Sequence, residues 1–167
     1  MNNNSLTAER LRSLLSYDAE TGVFVWLVST NGRIKVGDIA GSVNNKGYIA
    51  IGCDGKEHKA HRLAWLWAYG AWPSKQIDHR DGDKSNNRLA NLREVTNTEN
   101  QQNRRRARLD NKSTGLIGSK LHRKTGKYMA SISVNKQRIY LGLHDTAELA
   151  HDAYVKAKRE LHHSCTI

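Results

Sequence analysis

The stretch from Gln76 to Asn103 constrains this chain more than any other. Two short extended runs, Gln76 to His79 and Leu92 to Val95, are joined by a polar loop, residues 80–91. Thr96 with Glu99 three residues later forms a capping box, so a helix begins there and is expected to run on through the arginines at 104–108. The order is strand, loop, strand, helix. Asn100 falls in the first turns of that helix and would project back over the strand holding Asp78 and His79. A carboxylate, an imidazole and an amide oxygen would then face one space. A hard divalent ion takes such oxygen ligands and keeps several waters, and a neutral imidazole beside it can take a proton from an attacking water. Each residue also has a plainer reading, an Asp-His pair in a polar turn with asparagines closing side-chain turns. The whole array favours the chemical one.

Composition limits the rest. The chain has 167 residues, 38% of them hydrophobic, and a mean hydropathy of −0.71. That allows one domain or a few small ones, with a modest or divided core. No apolar run approaches the roughly 18 residues of a membrane span. Met1 to Ser5 is polar, without the pattern of a signal peptide, so a soluble intracellular protein is expected. Two cysteines, Cys53 and Cys165, lack metal-binding spacing and read as unpaired thiols of a reducing compartment. Zinc held by cysteine is thereby excluded, and a metal would take oxygen or imidazole ligands.

The net charge is +11, and residues 104–167 carry fourteen basic against five acidic groups, nine of the eleven net positive charges. Such asymmetry points to a polyanion, nucleic acid being the commonest, although a ribosomal or membrane-surface partner would leave a similar bias. Arg104, Arg105, Arg106 and Arg108 suit phosphate clamping. Their plainer reading is a solvated helix tail running into a linker.

The flanks are small mixed structure. Thr7 caps a first helix, with Leu6 and Leu11 as a hydrophobic staple. Asp18 to Gly22 reads as a turn and Val23 to Val28 as a strand. Asp54-Gly55 joins two extended runs, 48–53 and 56–60, as a hairpin. A helix follows over 61–69, with Gly70 as C-cap and Pro73 beyond it; Trp65, Trp67 and Trp72 read as packing residues. Near the C-terminus, Tyr128, Ala130, Ile132 and Val134 alternate onto one face. Asn135-Lys136 turns the chain and Gln137 to Leu141 returns. Asp145, with Glu148, is expected to cap a last helix whose stripe is Ala147, Ala150, Ala153, Tyr154, Ala157 and Leu161. The class is α+β: an N-terminal helix with antiparallel strands, a ββα core, and a three-stranded antiparallel sheet packed on one helix.

The string Asp-His-x-Asp-Gly-Asp-x-x-Asn-Asn-x-x-x-Asn-Leu-Arg-x-x-Thr-x-x-x-Asn, beginning at Asp78, resembles the ββα-metal HNH nucleases of the branch found in phage homing endonucleases. The likeness spans residues 60 to 105 or so. It implies Asp78 and Asn100 as ligands of a single Mg²⁺ or Mn²⁺ and His79 as general base. Asn91 is implied as the residue that pins the loop and orients the histidine. The implied reaction is hydrolysis of DNA to a 5′-phosphate and a 3′-hydroxyl, with Asp81 and Asp83 as loop residues rather than a second metal site. Residues 115–162 resemble the ethylene-response-factor (Apetala-type) DNA-binding domain, on Gly115, Gly118, Gly126-Lys127-Tyr128, Arg138, Leu141-Gly142, Asp145-Thr146-Ala147-Glu148 and Ala153-Tyr154. There a sheet enters the major groove, which implies DNA contacts for Lys120, His122, Lys127, Arg138 and Tyr140. Leu121 and Tyr128 stand where that family usually has tryptophan. Part of the first sixty residues resembles the N-terminal extension of the same phage enzymes.

Three modules follow, 1–59 as an extension able to touch DNA, 60–109 as nuclease and 110–167 as DNA-binding domain. The expected partner is double-stranded DNA, met by a monomer in the cytoplasm of a bacterial or phage-infected cell, with no membrane and no small-molecule cofactor beyond the metal. The rival reading is a DNA-binding regulatory protein whose nuclease centre is silent.

Overall fold

The computed structural model describes residues 6–29, 32–103, 107, 111 and 113–162. The chain divides into two compact units, Met1–Asn97 and Thr98–Ile167. In the first, Thr7 Oγ1 accepts from the Arg10 N–H (3.2 Å) and caps α1 (Ala8–Leu14), and Leu6 and Leu11 of the expected staple are both buried. The chain passes directly into β1 (Leu15–Tyr17), which pairs antiparallel with β2 (Phe24–Trp26). The turn between them is closed by Asp18, whose carboxylate accepts from the Glu20 N–H (2.9 Å) and the Thr21 hydroxyl (2.8 Å).

A second small sheet holds β3 (Ser42–Val43), β4 (Ile49–Cys53) and β5 (Lys56–Lys59) in that order. Asp54 and Gly55 both have positive φ (50° and 75°), as a two-residue hairpin of matching twist requires. Next comes α2 (Ala60–Tyr69), closed by Gly70, whose N–H bonds the Leu66 carbonyl at 2.9 Å. Then β6 (Gln76–His79) pairs antiparallel with β7 (Leu92–Val95), which leads into α3 (Asn97–Gln102). The core of the first unit runs from Leu6 through Phe24, Ile51, Leu63 and Leu66 to Ile77 and Leu92, with Trp65, Trp67 and Trp72 packed against it. Residues before and after position 59 share this one interior. The helix expected to continue through the arginines ends at Gln102 among the described residues, and Ala107 has no regular structure. Arg104, Arg105, Arg106, Arg108 and Cys165 lie outside the described residues.

The second unit carries β8 (Ser119–Leu121), β9 (Tyr128–Val134) and β10 (Gln137–His144), with β9 central, and α4 (Ala147–Leu161) packed on them. Ile132 of β9 meets Tyr154 and Ala157 of α4 in a small separate core, and Ala130 of the same strand is also buried. The Asn135-Lys136 turn again has two positive φ values, 50° and 66°, here without glycine. One expectation is corrected. The cap of α4 is Thr146, whose Oγ1 accepts from the Leu149 N–H at 3.2 Å, and not Asp145. The Asp145 carboxylate is 2.9 Å from Lys127 Nζ, and this ion pair draws it away from the helix end. Among the described residues no helix is long and apolar enough to cross a membrane.

Candidate active site

The antiparallel register of β6 and β7 sets Asp78 opposite Arg93 and His79 opposite Leu92. Successive strand residues face opposite sides, yet both side chains at 78 and 79 are largely enclosed. Arg93 Nη2 and Nε donate to Asp78 Oδ2 at 3.0 and 3.2 Å, and the two side chains retain only 19% and 13% exposure. His79 is buried, with its ring edge-on to His61 (centroids 5.0 Å apart, planes at 85°) and 6.1 Å from the Tyr48 ring. Its Nε2 lies 3.4 Å from Asn87 Oδ1. Burial lowers the His79 pKa below the ordinary value, and it outweighs the opposing influence of Asn87 and of the carboxylates at 81, 78 and 83. The imidazole is therefore neutral at neutral pH.

The loop after β6 is tied by its own side chains. Asn91 Oδ1 accepts from the Asp81 N–H (3.1 Å), while Asn91 Nδ2 donates to Asp81 Oδ1 (3.0 Å) and to the Asn86 carbonyl (2.9 Å). Asp81 also accepts from the Asp83 N–H (2.8 Å) and from Asn86 Nδ2 (2.6 Å). Partial burial alone would raise the Asp81 pKa, but these donors hold it below the usual carboxylate range. Asp83 is lowered by the Ser85 hydroxyl and N–H, at 2.6 and 2.9 Å. Both carboxylates are thus occupied in shaping the loop. The N-terminal elements brace it from outside. The Tyr17 hydroxyl donates to the Asn87 carbonyl (2.7 Å), and the Leu89 N–H to the Ala19 carbonyl (3.0 Å). Lys84 Nζ donates to the Lys46 carbonyl (2.9 Å) and lies 4.9 Å from the Tyr48 ring centroid, with Lys59 Nζ 4.7 Å from the same centroid.

Of the residues expected in the centre, Asp78 and His79 are neighbours on one strand, and Asn91 lies in the loop joining that strand to its partner. Asn100 is half-buried in α3, in the second unit. The expected DNA contacts fall into two groups. Lys120, Arg138 and Tyr140 are exposed and stand opposite Met129, Ser133 and Ser131 in the sheet. They therefore share the face turned away from Ala130 and Ile132, and so from α4. Arg138 Nε bonds Ser131 Oγ at 3.1 Å on that face. His122 and Lys127 belong to the β8–β9 turn, His122 Nδ1 held 2.9 Å from Thr125 Oγ1 and Lys127 paired with Asp145. A cleft of about 910 Å³ in the second unit is lined by Lys120, Ser131, Ser133, Lys136 and Arg138 with Gln101 and Gln102. It lies in the unit that does not carry Asp78 and His79.

Several residues around the centre have no role that the sequence alone suggests: His61, Tyr48, Asn87, Arg93 and Tyr17. Arg93 was available in principle, since pairing the two strands in register puts it opposite Asp78. The others arrive through packing between segments distant in sequence. His61 is buried, and its Nδ1 has no hydrogen-bond partner among the described residues. Burial, then the nearby His79, Lys59 and Arg62 charges, lowers its pKa to about 3. A histidine whose folded pKa lies below its unfolded value contributes stability that is full above pH 6.5 or so and is lost as pH falls toward the folded pKa. Between pH 7.5 and 4.5 the fold should lose about 3 kcal/mol through His61. Thermal melts of wild type and His61→Phe at both pH values check this, since phenylalanine keeps the ring but takes no proton. Equal losses in the two proteins would exclude His61 as the source.

With this geometry in hand, residues 58–102 match the profile of a known family, described as HNH endonuclease. A solved structure concerned with DNA binding and cleavage by the HNH homing endonuclease I-HmuI is similar to 54% of this chain at 30% identity, with a TM-score of 0.41. The similarity covers 51% of that protein, so the chain matches about half its length. No curated protein matches the chain.

Proposed function

We propose that this chain is a metal-dependent endonuclease of the HNH type that hydrolyses phosphodiester bonds of double-stranded DNA, leaving a 5′-phosphate and a 3′-hydroxyl. The observation that carries it is the neutral His79 ring, enclosed next to Asp78 on β6 and beneath a loop that Asn91 ties at three points. A general base must be unprotonated at working pH and held in place, and both conditions are met here.

The donor set fits a hard divalent ion, Mg²⁺ or Mn²⁺. Asp78 would supply carboxylate oxygen, and Asn100 would supply amide oxygen. Such an ion keeps much of its water, so it needs few protein ligands. When bound, the ion supplies charge stabilisation at the phosphate and the departing 3′ oxygen. Asp78 is anchored through Oδ2 by Arg93. His79 takes the proton of the attacking water on a ring nitrogen, and Asn91 keeps the loop closed. The residues 60–109 carry this chemistry and the residues 110–167 the grip on DNA. Asp81 and Asp83 serve the loop.

The test is incubation of supercoiled plasmid with the full chain and Mg²⁺, with and without EDTA. Metal-dependent nicked or linear products with 5′-phosphate ends are expected. Absence of product with any divalent ion would sink the enzymatic reading and leave a DNA-binding regulator.

The basic face of the second unit is assigned to phosphate and base recognition through Lys120, Arg138 and Tyr140, with His122 and Lys127 at its edge and the arginines at 104, 105, 106 and 108 before it. Deleting residues 110–167 should weaken duplex binding and flatten its dependence on salt, by about 0.9 in the logarithmic slope for each phosphate that the shortened chain no longer neutralises. Fluorescence anisotropy across a salt series reads this. An unchanged slope would mean that these charges do not meet DNA.

A further inference from the structure

Asn91, the residue whose position implied orienting the histidine, directs its amide to the loop, to Asp81 and to the Asn86 carbonyl. The side-chain amide beside the imidazole Nε2 is that of Asn87. We propose that Asn87 is the positioning residue of His79, offering its amide oxygen to Nε2 so that Nδ1 is the nitrogen that takes the proton from water. This inference rests on the endonuclease reading above and deepens it.

Asn87 is held from several sides. It is 2% exposed. Its Nδ2 donates to the Ser85 carbonyl at 3.2 Å, which decides which end of the amide turns to the ring. Its backbone carbonyl accepts the Tyr17 hydroxyl at 2.7 Å, and the backbone of Gly22 abuts residues 87 and 88. An amide oxygen only accepts hydrogen bonds, so the nitrogen facing it must carry hydrogen. A neutral imidazole with hydrogen on Nε2 has its lone pair on Nδ1. The His61 ring, edge-on at 5.0 Å, closes another side of the imidazole. The Nε2–Oδ1 separation of 3.4 Å is long for a hydrogen bond, as is common at catalytic centres before substrate binds. Two duties implied for Asn91 are thus divided: Asn91 closes the loop and Asn87 aims the ring.

The experiment uses the full chain, with Asn87→Leu, which keeps size and loses the acceptor, and Asn87→Asp, which keeps the acceptor. Long-range ¹H–¹⁵N imidazole spectra in metal-free buffer near pH 8 report the tautomer, the His79 signals being those absent from His79→Ala. Wild type and Asn87→Asp should show hydrogen on Nε2, and Asn87→Leu a mixture. In plasmid cleavage Asn87→Leu should lower kcat by about 10–100-fold with KM for DNA within about twofold, and Asn87→Asp should restore most of kcat. Hydrogen on Nδ1 in wild type, or wild-type kcat in Asn87→Leu, overturns the proposal. Should Asn87→Leu fail to fold, the wild-type tautomer and the Asn87→Asp spectrum still decide it. If wild type makes no product at all, the endonuclease reading falls, while the spectra alone judge the pairing of Asn87 with His79.

Discussion

His79→Ala should bind duplex DNA within about twofold of wild type while its cleavage rate falls by about 10²–10⁴-fold, the range that a positioned general base contributes. Binding should survive because the basic face of the second unit, not the buried imidazole, is assigned to the phosphates. The rate should fall because the other described groups of the centre are poor acceptors: Asp81 and Asp83 are held as low-pKa loop carboxylates, Asp78 is paired with Arg93, and burial lowers the His61 pKa to about 3. Single-turnover cleavage of a plasmid under saturating enzyme reads the chemical step apart from binding. His79→Gln, closer in volume, guards against a simple cavity effect. Wild-type cleavage by both variants would remove His79 from the mechanism.

The second large effect is expected far from the chemistry. Gly22 has φ +77°, and a Cβ there would lie 2.5 Å from both the Arg88 nitrogen and the Asn87 carbonyl carbon. Both obstacles are backbone, so neither can swing aside. Gly22→Ala adds a left-handed penalty of about 1–2 kcal/mol to an overpacking cost of about 1–3 kcal/mol. The loss of about 2–5 kcal/mol should lower the melting midpoint of the first unit by roughly 10–25 °C. Cleavage should decline with it, because the displaced residues include Asn87. Calorimetry or circular dichroism checks the midpoint, and a midpoint within a degree or two of wild type would mean that the β1–β2 turn does not brace the loop.

Both expected effects trace to the way a polar loop of this kind is made rigid. Its own asparagines and aspartates close it from within, and the turn at residues 18–22 together with Tyr17 closes it from without. The N-terminal residues are therefore part of what holds the centre, although they carry no catalytic motif. Lys59 and Lys84 over Tyr48 add positive charge beside the same loop.

Local patterns in the sequence were enough for β6 and β7, the hairpins at 54–55 and 135–136, the Thr7 cap and the Gly70 stop. Turn chemistry, period-two alternation and capping all act within a few residues, so each is written where it operates. The same locality explains Asp145: two good capping residues stand side by side, and a lysine well upstream, Lys127, decides between them. The grouping of Lys120, Arg138 and Tyr140 on one face needed the strand register, which a two-residue turn settles for β9 and β10.

By itself, then, the sequence determined the order of strand, loop, strand and helix and where along it Asp78, His79, Asn91 and Asn100 stand. Only the tertiary structure decided which of them touch: Asp78 with Arg93, His79 with His61 and Asn87, Asn87 with Tyr17, Gly22 with the loop backbone. The physical reason is range. Propensity and capping energies depend on neighbours in the chain, whereas the neutrality of the His79 imidazole depends on burial beside His61 and Tyr48, and Asn87 is held by Tyr17 from seventy residues away.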